Sequence, residues 1–411
     1  MSTIDNVTPT NRHRLFCMRF LEQGDPDQTF NDGQGTTVAY GFGNSSGDRV
    51  CIMSAHNNWT NNDILIAGTN EDNKLYIARL DFAGQTQGPF GNSGILVIPF
   101  YHPSYKASCV SGLYSNQKGE VYVCGSGELD GKIAAFIVKL TEVGVYDHTF
   151  GEEGCHFITL LNAGGISARS NGEIVVGLAN SATDSELFYC RANVNFDVVR
   201  VQVKVRGLYS PRFSSIGPDD SYFLAGRVMI GGSERSFASK FDAQNQLHQR
   251  FGQSGVTVIE FENGVSVSEG LAVSKSGKVA ILGNIDNVGF TLAVLDRNGM
   301  LDSSFSGDGR RIIRLPGISL TGRAVVYDEH DRLIVCGDTN GGEDVFLMRF
   351  SPQGNIGENF GSNNLQRYPG LVLFRNIEIP SGSSATRKVY VAKALAIDAE
   401  HKLVLTGTCY E

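Results

Sequence analysis

One five-residue signature returns along the chain and limits what it can fold into more than any other feature. Phe-Gly-x-x-Gly occurs as Phe90-Gly91-Asn92-Ser93-Gly94, Phe150-Gly151-Glu152-Glu153-Gly154 and Phe251-Gly252-Gln253-Ser254-Gly255. Weaker copies are Phe30-Asn31-Asp32-Gly33, Phe305-Ser306-Gly307-Asp308-Gly309 and Phe360-Gly361. The anchors at 30, 90, 150, 251, 305 and 360 are spaced 60, 60, 101, 54 and 55 residues apart. The interval of 101 spans two ordinary ones, so one copy has lost its signature and seven units are expected.

Two further patterns give the same count. Apolar runs ending in glycine recur at Ile64–Gly68, Val121–Gly125, Ile174–Gly177, Tyr222–Gly226, Val279–Gly283, Leu333–Gly337 and Leu403–Gly407. Strand-like runs, most with a basic residue near the end, recur at Leu15–Phe20, Leu75–Leu80, Phe136–Leu140, Leu187–Arg191, Phe237–Phe241, Phe290–Leu295 and Phe346–Phe350. Each unit holds four short runs, β-branched or aromatic and bounded by Gly, Asn, Asp and Ser, which is the pattern of strands and turns. No stretch sustains a 3.6-residue period, so little helix is expected. A length of 411 residues suggests two to four domains. Seven four-stranded repeats instead predict one all-β domain over 1–411, a seven-bladed β-propeller.

The frame of the repeat predicts how the ring closes. Residues 391–407 supply the first two strands of a unit, and residues 14–41 supply the third and fourth, after a polar tail at 1–13. The N- and C-terminal strands are therefore expected to share one blade, which removes the exposed edges of an open array. The least secure blade boundary lies at 192–220, where the Phe-Gly turn is absent.

The repeat consensus reads Ala-Leu-Ala-Val-Asp, x-x-Gly-Lys, three apolar residues, x-Gly, then Arg-Leu/Phe and x-x-x-Gly-x-x-Asp-x-x-Phe-Gly-x-x-Gly. Its best copies are Ala394–Lys402, Leu301–Phe305 and Asp147–Gly151. It resembles the delta-60 repeat β-propeller family of bacterial proteins over almost the whole chain. The resemblance implies the propeller fold and carries no defined catalytic residues.

Composition narrows the function classes. Glycine is 49 of 411 residues, charged residues are 19% and apolar residues 41%, which suits a packed, turn-rich chain and not a disordered one. The net charge of −8 does not favour a nucleic-acid partner, and no apolar window is long enough for a membrane span. The eight cysteines lack a CxxC pair and stand in places where other repeats carry small apolar residues, as Cys124 and Cys336 do. They read as free, buried thiols of a reducing compartment. The start has no basic or apolar leader, so a cytoplasmic location is expected, with export by a signal-less route as the alternative. A monomer without cofactor or metal is expected.

No P-loop or His-Glu-x-x-His zinc motif is present. His148, His248, His330 and His401 fall in repeat turns and read as solvated. Asp296-Arg297-Asn298-Gly299 reads as a β-turn, lacking the carboxylates of a calcium loop.

Three places break the repeat. The residues just before each first strand are Val50, Ser111, Gly164, Arg206, Glu269, Arg323 and Lys393, each followed by a small residue. Sharing one ring at the channel mouth, they would set three bases against one acid and attract an anion. Arg323 is the leading candidate, since a guanidinium holds a carboxylate or phosphate with paired hydrogen bonds, and Glu269 would orient one of the bases. The second break is His56–Asn62, with Trp59 as the only tryptophan, a candidate contact for a sugar or a protein. The third is the insertion Ser362–Val389. The expected function is a non-enzymatic binding or scaffold protein that offers a propeller face to a protein or to a small anionic or sugar ligand. The alternative is a lyase or hydrolase acting on a sugar or small anion at the channel mouth.

Overall fold

The computed structural model describes residues 13–33, 36–38, 49–52, 63–70, 72, 74–98, 100, 102–180, 186–192, 196–261, 266–285, 289–357, 359–361, 370–374 and 389–410. These contain 28 strands and no helix. β1 (His13–Phe20) and β2 (Thr36–Val38) come first. Four-stranded sets follow in chain order: β3–β6 (Arg49–Ile52, Ile64–Thr69, Leu75–Leu80, Ile95–Ile98) and β7–β10 (Lys106–Ser115, Val121–Leu129, Lys132–Leu140, Cys155–Thr159). β11–β14 are Asn162–Ala168, Ile174–Ala179, Glu186–Ala192 and Phe196–Gln202, and β15–β18 are Leu208–Ile216, Tyr222–Ile230, Ser233–Phe241 and Val256–Ile259. β19–β22 are Val267–Val273, Val279–Ile285, Gly289–Leu295 and Arg310–Arg314, and β23–β26 are Leu320–Tyr327, Leu333–Thr339, Asp344–Phe350 and Leu371–Phe374. β27 (Val389–Ile397) and β28 (Leu403–Tyr410) end the series.

They pair as seven four-stranded antiparallel sheets. Six are simple meanders, and the other has the order β2-β1-β28-β27. There His13–Phe20 pairs in full register with Leu403–Tyr410. First strands of successive sheets lie against one another, β3 on β7 through β23 on β27, and β27 lies on β3. One hydrophobic cluster fills the space between each neighbouring pair of sheets. This is the arrangement of a β-propeller. The repeat that lost its signature still makes a full sheet, β11–β14, and the Ser362–Val389 insertion contains the fourth strand β26.

The recurring glycines have a steric cause. A Cβ on Gly125, Gly226, Gly337 or Gly407 would overlap a first-strand carbonyl oxygen, that of Cys109, Ser210, Thr321 or Val391. At Gly125, Gly337 and Gly407 it would also strike a third-strand ring, that of Phe136, Phe346 or Phe16. The Phe-Gly signature is a clasp between sheets. Phe90, Phe251, Phe305 and Phe360 pack beneath Gly144, Gly299, Gly354 and Gly24 in the next sheet's turn. The adjoining amides donate across the same gaps: Gly91 to Val143, Gly252 to Asn298, Ser306 to Gln353 and Gly361 to Gln23, at 2.6–3.1 Å.

The basic residue of the third strand completes the join. Arg79 holds buried Asp63 at 2.8 Å and donates to the Glu142 carbonyl at 3.2 Å; Arg349 donates to the Glu22 carbonyl at 3.1 Å. Between β11–β14 and β15–β18, where the Phe-Gly turn is missing, side chains substitute. Arg169 donates to the Asp242 and Ala243 carbonyls, and the Tyr189 hydroxyl donates to Asn245.

Candidate functional site

The site is built on a β-bulge that recurs at the same place in most first strands. Opposite the repeat glycine, one extra residue is left unpaired: Ser111 in β7, Arg212 in β15, Glu269 in β19, Arg323 in β23 and Lys393 in β27; β11 has Gly164 and Gly165 there. Bulges re-aim side chains out of the ladder and are frequent next to functional sites. Here they gather charge on the innermost strands.

Five of the seven expected ring positions, Ser111, Gly164, Glu269, Arg323 and Lys393, fall on these bulges. Two do not. Arg206 is an exposed residue ahead of β15, and Arg212 takes the ring position in its place. Val50 pairs regularly with Ile66 inside β3; counting from the other sheets, the equivalent position is residue 48, outside the described residues. His56 and Trp59 also lie outside the described residues, as does most of the Ser362–Val389 insertion.

A second tier was not foreseen. The residue after the repeat glycine is polar in most sheets, and in three of them it reaches the next first strand. Ser126 Oγ accepts from the Ala163 amide at 2.9 Å. Asn284 exchanges both amide bonds with Gly322 at 2.8 and 2.9 Å. Arg227 holds Glu269 of the next first strand at 3.2 Å, whereas Asp338 holds Arg323 of its own sheet. The signal was readable as a polar residue after every repeat glycine but Gly177: Thr69, Ser126, Arg227, Asn284, Asp338 and Thr408.

The two tiers sort the charges. Arg323 donates to both oxygens of Asp338, at 2.8 and 3.2 Å. Asp338 is almost wholly buried. Burial pushes its carboxyl up, against the opposing pull of Arg323 and Lys393. Arg323, the leading candidate from sequence, is therefore already engaged in the paired geometry it was expected to offer a ligand. Glu269 is held through Oε1 by Arg227 at 3.2 Å and lies 3.9 Å from Arg212; Oε2 takes part in neither contact.

Arg212 is 43% exposed, and Glu269 is its one ion pair among the described residues. Partial desolvation of its guanidinium lowers its pKa, and repulsion from Arg227 and Arg49 adds to that, against the pull of Glu269. Lys393 forms no ion pair with a described residue. Arg49 donates Nε to the bulge carbonyl of Ser111 at 2.7 Å. Five cations, Arg49, Arg212, Arg227, Arg323 and Lys393, thus share the inner strands and their neighbours with three acids, Glu269, Asp338 and Glu234, the last pairing with Arg227 at 3.2 Å, in a chain of net charge −8.

Other groups do not converge on chemistry. Ser104 Oγ donates to Asp130 at 2.6 Å and touches His102 Nδ1 at 2.8 Å. A hydroxyl whose proton points at a carboxylate is not activated by that histidine. Among the described residues no cluster of His, Cys, Asp or Glu has metal-binding geometry. Asp296 accepts from the Asn298 and Met300 amides, which makes its loop a turn. His148, His330 and His401 are exposed, whereas His248 is half-buried. Cys17, Cys124, Cys155, Cys336 and Cys409 are buried as expected and in no disulfide; Cys109 is in no disulfide either but is exposed, since its strand carries two bulges around it. No described helix is long and apolar enough to cross a membrane.

No family model and no curated protein matches the chain. Solved structures resemble it in outline. A protein from Lactobacillus plantarum aligns with TM-score 0.47 and 12% identity over 88% of this chain and 98% of its own. Sqt1 from Chaetomium thermophilum aligns with TM-score 0.46 and 11% identity, over 89% and 95%. The polysaccharide lyase Uly1 aligns with TM-score 0.44 and 11% identity, over 88% and 89%. Identities this low carry no activity across to this chain.

Proposed function

We propose that this chain is a non-enzymatic binding protein, a single closed seven-bladed propeller of delta-60 type that takes a small anionic ligand at the mouth of its central channel. The pairing of β1 with β28 and the packing of β27 on β3 support closure. The observation that carries the ligand reading is the surplus of cations on the bulge ring. Arg323 and Arg227 are neutralised by Asp338 and Glu269, while Arg212 and Lys393 are left with charge to offer. A narrow mouth with low-dielectric walls focuses such a field and favours anions. Arg212 is the principal contact and Lys393 its helper. Six described cysteines outside any disulfide suit a reducing compartment.

Calorimetric titration with sulfate at low ionic strength tests the reading. Wild type and Arg206→Ala bind alike, Arg212→Ala weakens binding at least tenfold, and Arg212→Ala with Lys393→Ala abolishes it. Unchanged binding in the double variant removes the ring as the site.

A further inference from the structure

The anion reading leaves one group unexplained. Glu269 stands inside the cationic ring, where a site for a bare anion would carry no carboxylate. Its position is built: it is a bulge residue of β19, and Arg227 from the neighbouring sheet fixes Oε1 at 3.2 Å. The same oxygen faces Arg212 at 3.9 Å, longer than a hydrogen bond, while Oε2 is used by neither arginine. An anion on Arg212 would therefore sit beside an ionised acceptor with an unused oxygen. For sulfate or acetate that neighbour is repulsive. For a ligand with a hydroxyl next to its carboxylate, it is a hydrogen-bond acceptor, and bonds to charged acceptors are the strong ones.

We infer that the ligand is a hydroxylated carboxylic acid, a sugar acid being the representative case, with its carboxylate on Arg212, the charge of Lys393 adding to the field, and a hydroxyl donating to Glu269 Oε2. This rests on the anion-binding reading. An ammonium group would also suit Glu269, but the five surrounding cations oppose a second positive charge, so a zwitterionic amino acid is disfavoured. A neutral sugar satisfies Glu269 and leaves both cations without a partner. Glu269 is thus a specificity residue that separates hydroxy acids from simple anions.

The test is calorimetric titration of the full chain with glucuronate, acetate, glucose and alanine. In wild type, glucuronate binds at least tenfold more tightly than acetate and more tightly than glucose or alanine. In Glu269→Ala the glucuronate-to-acetate ratio falls to within about threefold, and acetate binds as tightly as before or more so. Glu269→Gln, which keeps the shape of the side chain, falls between and guards against a folding defect in the alanine variant. A ratio that survives Glu269→Ala overturns the inference while leaving the anion site standing, as does alanine binding more tightly than glucuronate. Failure of both glucuronate and acetate to bind wild type, or equal binding to Arg212→Ala, overturns the anion site itself and this inference with it.

Discussion

A buried acid with a single strong partner is a point of high leverage. Asp338 is 2% exposed and its partner Arg323 is 32% exposed. Removing one member of a buried pair costs about 3–5 kcal/mol, whereas an exposed pair contributes about 1 kcal/mol or less. Arg323→Ala should therefore lower stability by about 2–3 kcal/mol in urea unfolding. Adding Asp338→Asn should recover much of that, because the stranded charge is gone. If Arg323→Ala melts like wild type but loses anion binding, Arg323 is a ligand group and not a strut. The thiols separate equally clearly. Burial pushes Cys17 and Cys336 up to about 12, so neither is a thiolate near neutral pH. Under native labelling followed by peptide mapping, Cys109 should be modified well before Cys17, Cys124, Cys155, Cys336 or Cys409. Arg212 escaped the sequence reading for a local reason. Its unit begins where the Phe-Gly anchor is absent, so the frame slid by six residues and settled on Arg206.

Strands and clasps obey simpler rules than the ring. The repeat glycines were legible as a pattern, and the structure supplies the cause in the first-strand carbonyl that presses on each. Gly337→Ala should cost about 1–3 kcal/mol or more, because rigid backbone and the Phe346 ring both block the new methyl. Denaturant midpoints of Gly337→Ala and of Gly131→Ala, where the space is open, make the comparison, with strain at the positive φ of Gly131 as the only cost there. The turn acids set an acid limit. Burial alone would raise the carboxyls of Asp27, Asp147 and Asp219. Their bonds to Thr29 and Arg19, to Lys139 and Thr149, and to Ser221 and Lys240 outweigh it and hold each at about 2. The unfolded chain takes up these protons first, at the ordinary 3.8, so the stability they supply is complete above about pH 4 and drains away as pH falls through 2. Asp338 and Asp398 are raised by burial and work the other way; they are outnumbered. The melting temperature should fall between pH 4 and pH 2. A flat profile there would mean these bonds are not made in solution. Strand count and order were readable because turns and apolar runs repeat. The bulges were not, since each shifts the alternation by a single residue inside a strand too short to show the change of phase.

At the scale of the molecule, the sheet shared by β1, β2, β27 and β28 is the keystone. Leu15, Phe16, Cys17 and Phe20 are wholly buried and belong to two clusters, one on either side of that sheet. Deleting residues 13–20 should abolish the cooperative thermal transition seen by circular dichroism, not merely shift it. A truncated chain that melts as the full chain does would show that the remaining sheets hold themselves. The same pairing has a consequence for how the protein is made. Phe20 leaves the ribosome roughly 380 residues before its register partner Leu403, about 20–75 s at ordinary elongation rates. For all that time β1 is an apolar strand with no β28 to pair with. A translating ribosome therefore carries a row of stacked sheets with one sticky strand, and anything that shields that strand until β28 emerges will decide how much of the chain arrives folded.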